Sequence, residues 1–272
     1  MIRLGVCAAA DKAAVLKKIG YDYIELNLTN LSEMTDEQYG ETTRLIDQSG
    51  LRAEAFNVMI PGKYRLTGMN RLVDREAVQE YVRRVVPKAA RLGAKVIVFG
   101  SGAARNVPHD YPMEMAKMQL QRFLCGIRDI LREYGVRLAI EPLNSKETNI
   151  IHTVGEALDI ARRLEPETVD KAEKDNNINT VGVLGDTYHM HKQDESFDSF
   201  ALAGKDLYHV HTAENVRRVY PDYDDGTDYA GLFRALMAAG YDGRVSVEGG
   251  TDDFEKDAAR AFDVLKRAMK SV

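Results

Sequence analysis

In Arg137-Leu138-Ala139-Ile140-Glu141-Pro142-Leu143-Asn144-Ser145-Lys146-Glu147 an apolar run ends on a carboxylate, and a second carboxylate follows six residues later. Leu138 to Ile140 has the pattern of a buried strand. A charge at the end of such a strand costs on the order of several kcal/mol unless something pairs with it. The same pattern recurs three times downstream. Val181-Gly182-Val183-Leu184-Gly185 ends in Asp186, Leu207-Tyr208-His209-Val210 ends in His211, and Arg244-Val245-Ser246-Val247 ends in Glu248. Four consecutive strands that each present an oxygen or imidazole ligand point to one shared divalent cation. Three carboxylates with one imidazole favour Mn²⁺ first, with Mg²⁺ or Co²⁺ next and Zn²⁺ behind them.

Outward from this stretch, strand-like and helical patterns alternate. Upstream, strands are expected at Ile2–Cys7, Tyr21–Leu28, Leu51–Val58 and Lys95–Gly100. Helices are expected near Ala13–Ile19, Asp36–Gln48, Asp74–Leu92 and Pro112–Tyr134. Pro87 predicts a break or kink in the third of these. Downstream, helices follow near Val154–Leu164, Tyr229–Ala239 and Phe254–Met269, with a poorly patterned region near Asp194–Ala203. Pro166 to Thr180 reads as a polar helix-to-strand connection. Eight strand–helix units about thirty residues apart predict a parallel sheet closed as an α/β, single (β/α)8 barrel. No linker splits the chain, so residues 1–272 are expected to form one domain. No GxGxxG follows the first strand, which disfavours the dinucleotide fold. In a closed barrel the active site lies at the C-terminal ends of the strands, where Glu141, Asp186, His211 and Glu248 fall.

Composition narrows the setting. The 272 residues are 44% hydrophobic and 29% charged, an ordinary globular balance. A formal charge of −5 gives no broad basic surface and argues against a nucleic-acid partner. Cys7 and Cys125 are far apart without CxxC spacing, which suits a reducing, cytoplasmic compartment. The apolar opening from Met1 to Ala10 is short and runs into Asp11-Lys12, so it reads as a strand and not a signal peptide. Nothing approaches the roughly 20 apolar residues of a membrane span.

Each candidate ligand has an ordinary reading alone. Glu141 before Pro142 could open a loop, Asp186 could cap the next helix, and Glu248 before Gly249-Gly250 could be a turn residue. His209 and His211 share a strand face, and His209 is expected inside the barrel. Their joint placement at four successive strand ends favours the metal.

On these motifs the chain resembles the xylose-isomerase-like barrel superfamily of sugar isomerases and epimerases, and within it the ketose 3-epimerase group. Glu141-Pro-Leu-Asn-x-x-Glu147 matches a metal-binding Glu followed by a substrate-binding Glu. Asp186-x-x-His189 matches a metal Asp and a substrate His. His211-Thr-Ala-Glu-Asn-Val-Arg217 matches a metal His and a substrate Arg, and Glu248 matches the last metal ligand. The resemblance implies C3 epimerisation of a ketose or ketose derivative. A metal-stabilised enediolate would form, with Glu141 and Glu248 as the acid/base pair. It also implies that Glu147, His189 and Arg217 bind the sugar, and that the protein is a homo-oligomer, a dimer or tetramer.

The first half lacks the aromatic pattern of free-ketose epimerases, and the chain has no Trp. Lys63, Arg65 and Arg71 in the Met59–Leu72 loop, with Arg105 after strand four, either meet a phosphate or carboxylate at the distal end of the substrate or form a solvated loop. An aldose–ketose isomerase and an inosose- or dehydroshikimate-type dehydratase share the same metal and residues. A non-catalytic carbohydrate-binding protein would not need two acid/base carboxylates. An endonuclease-IV-type phosphodiesterase needs three zinc ions and histidines that strands three and four do not supply.

Overall fold

The computed structural model describes residues 1–164 and 180–272. The expected polar connection from Pro166 to Thr180 therefore lies, except for Thr180, outside the described residues. The strands are β1 (Arg3–Cys7), β2 (Tyr23–Asn27), β3 (Ala53–Asn57), β4 (Val96–Phe99), β5 (Arg137–Ile140), β6 (Val181–Asp186), β7 (Leu207–Thr212) and β8 (Arg244–Val247). They pair in parallel, each with its sequence neighbour, and β8 returns to β1 through Arg3↔Arg244 to Val6↔Val247. The barrel closes as expected.

The helices packed outside are α1 (Ala13–Ile19), α2 (Leu28–Glu33), α3 (Asp36–Ser49), α4 (Arg75–Leu92), α5 (Gly102–Arg105), α6 (Met113–Glu133), α7 (Val154–Arg162), α8 (Thr187–Lys192), α9 (Ser199–Ala203), α10 (Tyr229–Ala238) and α11 (Phe254–Lys270). Local chemistry sets their ends. Thr35 and Gln38 form a reciprocal capping box on α3, and Gly50 ends that helix in the left-handed region at φ 72°. The break or kink expected at Pro87 meets an unbroken α4. Pro87 cannot donate to the carbonyl four residues back, which belongs to Arg83, and Arg83 is exposed to water. The poorly patterned stretch holds the single short helix α9.

Alternation within the strands builds two apolar layers. Ile97 and Phe99 of β4 join the large cluster shared with the helices. Val96 and Val98 join Tyr23, Ala55, Ala139, Leu184 and Tyr208 in a smaller one. At one end of the barrel the Glu54 carboxylate accepts from Arg3 at 2.6 Å and from Arg244 at 2.7 Å, tying β3 to the starts of β1 and β8. The other end of the strands carries the site.

Candidate active site

Backbone register delivers the four ligand-type side chains to one place. Asp186 and His211 are direct partners across β6 and β7. The Glu141 N–H donates to Phe99 O at 3.1 Å, and the Glu248 N–H donates to Thr212 O at 3.0 Å, so each continues its strand by one residue. Glu141, Asp186, His211 and Glu248 each offer one ligand atom, and these atoms lie within 4.8 Å of one another. A Cβ at Gly100, the residue after β4, would overlap the Glu141 carboxylate where it lies here.

Asp186 fills both of the roles its sequence allowed. Its Oδ1 accepts from the Tyr188 N–H at 2.8 Å and caps α8, while Oδ2 faces the cluster. Within α8, one turn on, His189 is buried. Its Nδ1 accepts from the Asn144 backbone N–H at 3.2 Å and from the Asn144 amide at 2.8 Å. Two donors on Nδ1 place the ring proton on Nε2, which is buried without a partner and lies 3.7 Å from Asp186. Glu147 sits at the rim, where Oε1 accepts from Asn144 at 2.9 Å and approaches Arg218 at 3.5 Å.

The arginine in this site is one residue later than expected. Arg217 leaves 68% of its side chain exposed, and its guanidinium pairs outside the cluster with Glu214 at 3.4 Å. Arg218 is 27% exposed and reaches Glu248 at 2.6 Å and Asp186 at 3.4 Å. The turn explains the switch. Buried Glu214 accepts from the backbone N–H groups of Val216 and Arg217, and Arg218 takes a left-handed backbone at φ 56°. That conformation is uncommon for a residue with a Cβ. Arg218 O then accepts from the Gly250 N–H at 2.7 Å, which pins the turn beside Glu248. Arg218→Ala should therefore cut kcat/KM by about 10²-fold or more, while Arg217→Ala should stay close to wild type. Parallel steady-state kinetics on the two variants would show the reverse order if Arg217 were the working residue.

Other expected contacts also move. Arg105 is fully buried and donates to Phe99 O at 3.1 Å and Glu141 O at 2.7 Å, bracing the ends of β4 and β5. It is thus spent on backbone and does not extend toward a distal substrate group. Lys63 and Arg65 are exposed and line a separate cleft of about 280 Å³ with Ala103 and Pro108.

Sequence reading passed over Glu25. Buried in β2, its carboxylate bonds His209 Nε2 at 2.8 Å and His211 Nε2 at 3.0 Å. Its signal was present, since a charge interrupts the apolar run Tyr23-Ile24-Glu25-Leu26. His209 lies inside the barrel as expected and contacts Ser246 at 3.4 Å, which in turn bonds the Tyr23 hydroxyl at 2.7 Å. Asn57 was also missed; its amide donates to Glu248 Oε1 at 2.9 Å.

Electrostatics separate the two central glutamates. Burial pushes the Glu141 carboxyl up, and the Glu248 charge adds to this against the opposing effect of His211. Burial acts on Glu248 as well, but His211 and Arg218 outweigh it and hold Glu248 well below the usual carboxylate range. Burial would lower His211, yet Glu25 and Glu248 raise it well above the usual imidazole value.

The donor set fits a divalent cation. Three carboxylates and the His211 Nδ1 converge, and Glu25 holds the opposite ring nitrogen, the support that ligating histidines use. A cation must displace the proton that His211 otherwise carries on Nδ1. Because that pKa is raised, affinity for Mn²⁺ should fall as pH drops, about tenfold per unit while His211 is protonated. Calorimetry in buffers of different ionisation heat should find about one proton released per ion bound; no release would remove His211 from the ligand set.

With this geometry in view, a family model described as "Xylose isomerase-like TIM barrel" matches residues 13–268. The chain belongs to that family. Among curated proteins, a D-psicose 3-epimerase of Agrobacterium fabrum is 28% identical over 207 residues, covering 74% of this chain and 66% of that relative. A 3-dehydro-D-guloside 4-epimerase of Escherichia coli is 27% identical over 175 residues, covering 62% of each. The chain thus spans less than two thirds of the length of these curated relatives. A solved D-psicose 3-epimerase, determined in the presence of D-fructose, superposes with a TM-score of 0.83 at 19% identity, covering 98% of this chain and 99% of that one. That likeness bears on the fold. No described helix is long and apolar enough to cross a membrane.

Proposed function

We propose that this family member is a divalent-metal-dependent sugar epimerase of the isomerase class, inverting C3 of a ketose or ketose derivative. One observation carries the reading. Glu141 Oε1 and Glu248 Oε2 approach the same His211 Nδ1, at 3.4 and 3.3 Å, from strands on either side of β7. Inversion needs one group to take a proton and a second to return one to the other face. The relatives named as 3-epimerases and a 4-epimerase support the class.

Glu141, Asp186, His211 and Glu248 would hold the cation, with Mn²⁺ as first choice. Bound there, it would supply Lewis-acid chemistry to the substrate. Glu248, kept ionised by Arg218 and His211, takes the proton from carbon. Glu141, also kept ionised at rest by a bound cation, would return a proton that reaches it through substrate or water. The unpartnered His189 Nε2–H and the Arg218 guanidinium donate to the oxygen where negative charge develops. Glu147 at the rim accepts a sugar hydroxyl. The protein would act as one domain in the cytoplasm, as a homo-oligomer.

The same groups would serve either carbon beside a ketone. Similarity to 3-dehydro-D-guloside 4-epimerase makes C4 of a 3-keto sugar the second reading. Incubation of the Mn²⁺ protein in D₂O with ketoses and 3-keto sugars decides between them. Deuterium at C3 with the epimer is expected, and deuterium at C4 would establish the second reading. Exchange at C1 with aldose formation, or loss of water, would replace epimerisation by the isomerase or dehydratase.

A further inference from the structure

β1 ends on Cys7, at the same end of the barrel as the four converging ligand-type side chains. Register fixes its neighbours. Cys7 pairs with Glu25 across β1 and β2, and Val6 pairs with Val247 across β1 and β8, which sets Cys7 beside Glu248. Cys7, His211 and Glu248 each offer one ligand atom, and these three atoms lie within 4.8 Å of one another. This second group shares His211 and Glu248 with the first. It exchanges two carboxylates, those of Glu141 and Asp186, for a thiol.

An ion can reach the thiol. Cys7 is half-buried and lines a cavity of about 450 Å³, whose wall continues through Ala8, Ala9 and Ala10. The exchange of donors changes the kind of ion that fits. Three carboxylates and an imidazole suit a hard cation, whereas thiolate, imidazole and one carboxylate suit a thiophilic one. Donors about 2.0–2.3 Å from a tetrahedral ion stand roughly 3.3–3.8 Å apart, so the group needs to close by no more than about 1.5 Å. Three protein donors leave a fourth position for water.

We propose that Cys7, His211 and Glu248 form a second, softer cation site, which takes Zn²⁺ or Cd²⁺ in competition with the ion held by Glu141, Asp186, His211 and Glu248. Coordination replaces the S–H bond by a sulfur–metal bond and gives the proton to water. Burial and the charge of Glu25 push the free thiol up, so Cys7 stays protonated until an ion arrives. Both sites need His211 and Glu248, so filling one takes two ligands from the other. A thiophilic cation therefore displaces Mn²⁺ and does not join it. The competition rests on the metal reading given above; binding at Cys7 does not, and neither depends on the reaction.

The chain has two cysteines, so Cys125→Ser leaves Cys7 as its single thiol. This variant, freed of metal, is titrated with Cd²⁺ while the ultraviolet absorption of a cadmium–thiolate bond is followed. The band should grow to one cadmium per chain. Adding Cys7→Ser should remove the band and weaken Cd²⁺ binding by about tenfold or more. Mn²⁺ loaded beforehand, followed by electron paramagnetic resonance, should be released as the band grows. Mn²⁺ binding by the double variant shows that it is folded; should it not fold, the presence or absence of the band in Cys125→Ser decides alone. No band in Cys125→Ser, or equal Cd²⁺ affinity with and without Cys7, overturns the proposal. A band that grows with Mn²⁺ still bound overturns the shared ligands. If neither protein binds Mn²⁺, the four-residue metal reading fails, and the cadmium band still decides Cys7.

Discussion

Glu248→Gln should nearly abolish turnover. The amide keeps the shape of the side chain but can neither accept a proton from carbon nor carry the charge that Arg218 and His211 hold in place. General acid–base catalysis alone is worth about 10²–10⁴-fold, and loss of a metal-binding oxygen adds to that. Glu141→Gln should fall into the same range. The measurement is single-turnover deuterium exchange on variants whose metal content has been determined by elemental analysis. A Glu248→Gln protein within tenfold of wild type would remove Glu248 from proton transfer.

The second large effect is expected at Glu25, which touches no substrate in the proposed reaction. Its carboxylate lies between two buried imidazoles. Burial would raise its pKa, but His211 and His209 outweigh this and hold it ionised. The proton balance is uneven. Glu25 and Glu248 keep His211 charged, whereas burial drives His209 down and the charge on His211 adds to that. Glu25→Gln leaves one buried cation short of its partner. Breaking such a pair costs about 3–5 kcal/mol. Loss of the group that orients a ligating histidine weakens metal binding by about 10–100-fold. Denaturant unfolding with and without Mn²⁺ separates the two effects. Stability and metal affinity both near wild type would show that the imidazoles orient themselves.

Most of the barrel was legible because a strand buried on both faces writes itself as an unbroken apolar run. The four positions that converge were legible because a charge ending such a run needs a reason. Glu25 escaped because its partners lie on β7, more than 180 residues away, and no local spacing connects them. Arg218 escaped for a different reason. Motif spacing counts residues along an ordinary backbone, and here Glu214 folds the turn so that a left-handed residue reverses which arginine faces inward. Arg105 misled in the opposite direction: a cation after a strand looks available for a ligand, but two carbonyls claim it.

The ligands and their supports divide the barrel in two. Glu141, Asp186, His211 and Glu248 come from β5 to β8, while Glu25 and Asn57, which hold His211 and Glu248, come from β2 and β3. During synthesis the N-terminal half emerges first. It carries supports with nothing to hold, and the later half carries ligands without their supports. Tight binding of a cation by these groups would thus wait until the two halves have met. A chain stalled before barrel closure would then hold a cation at these groups only weakly.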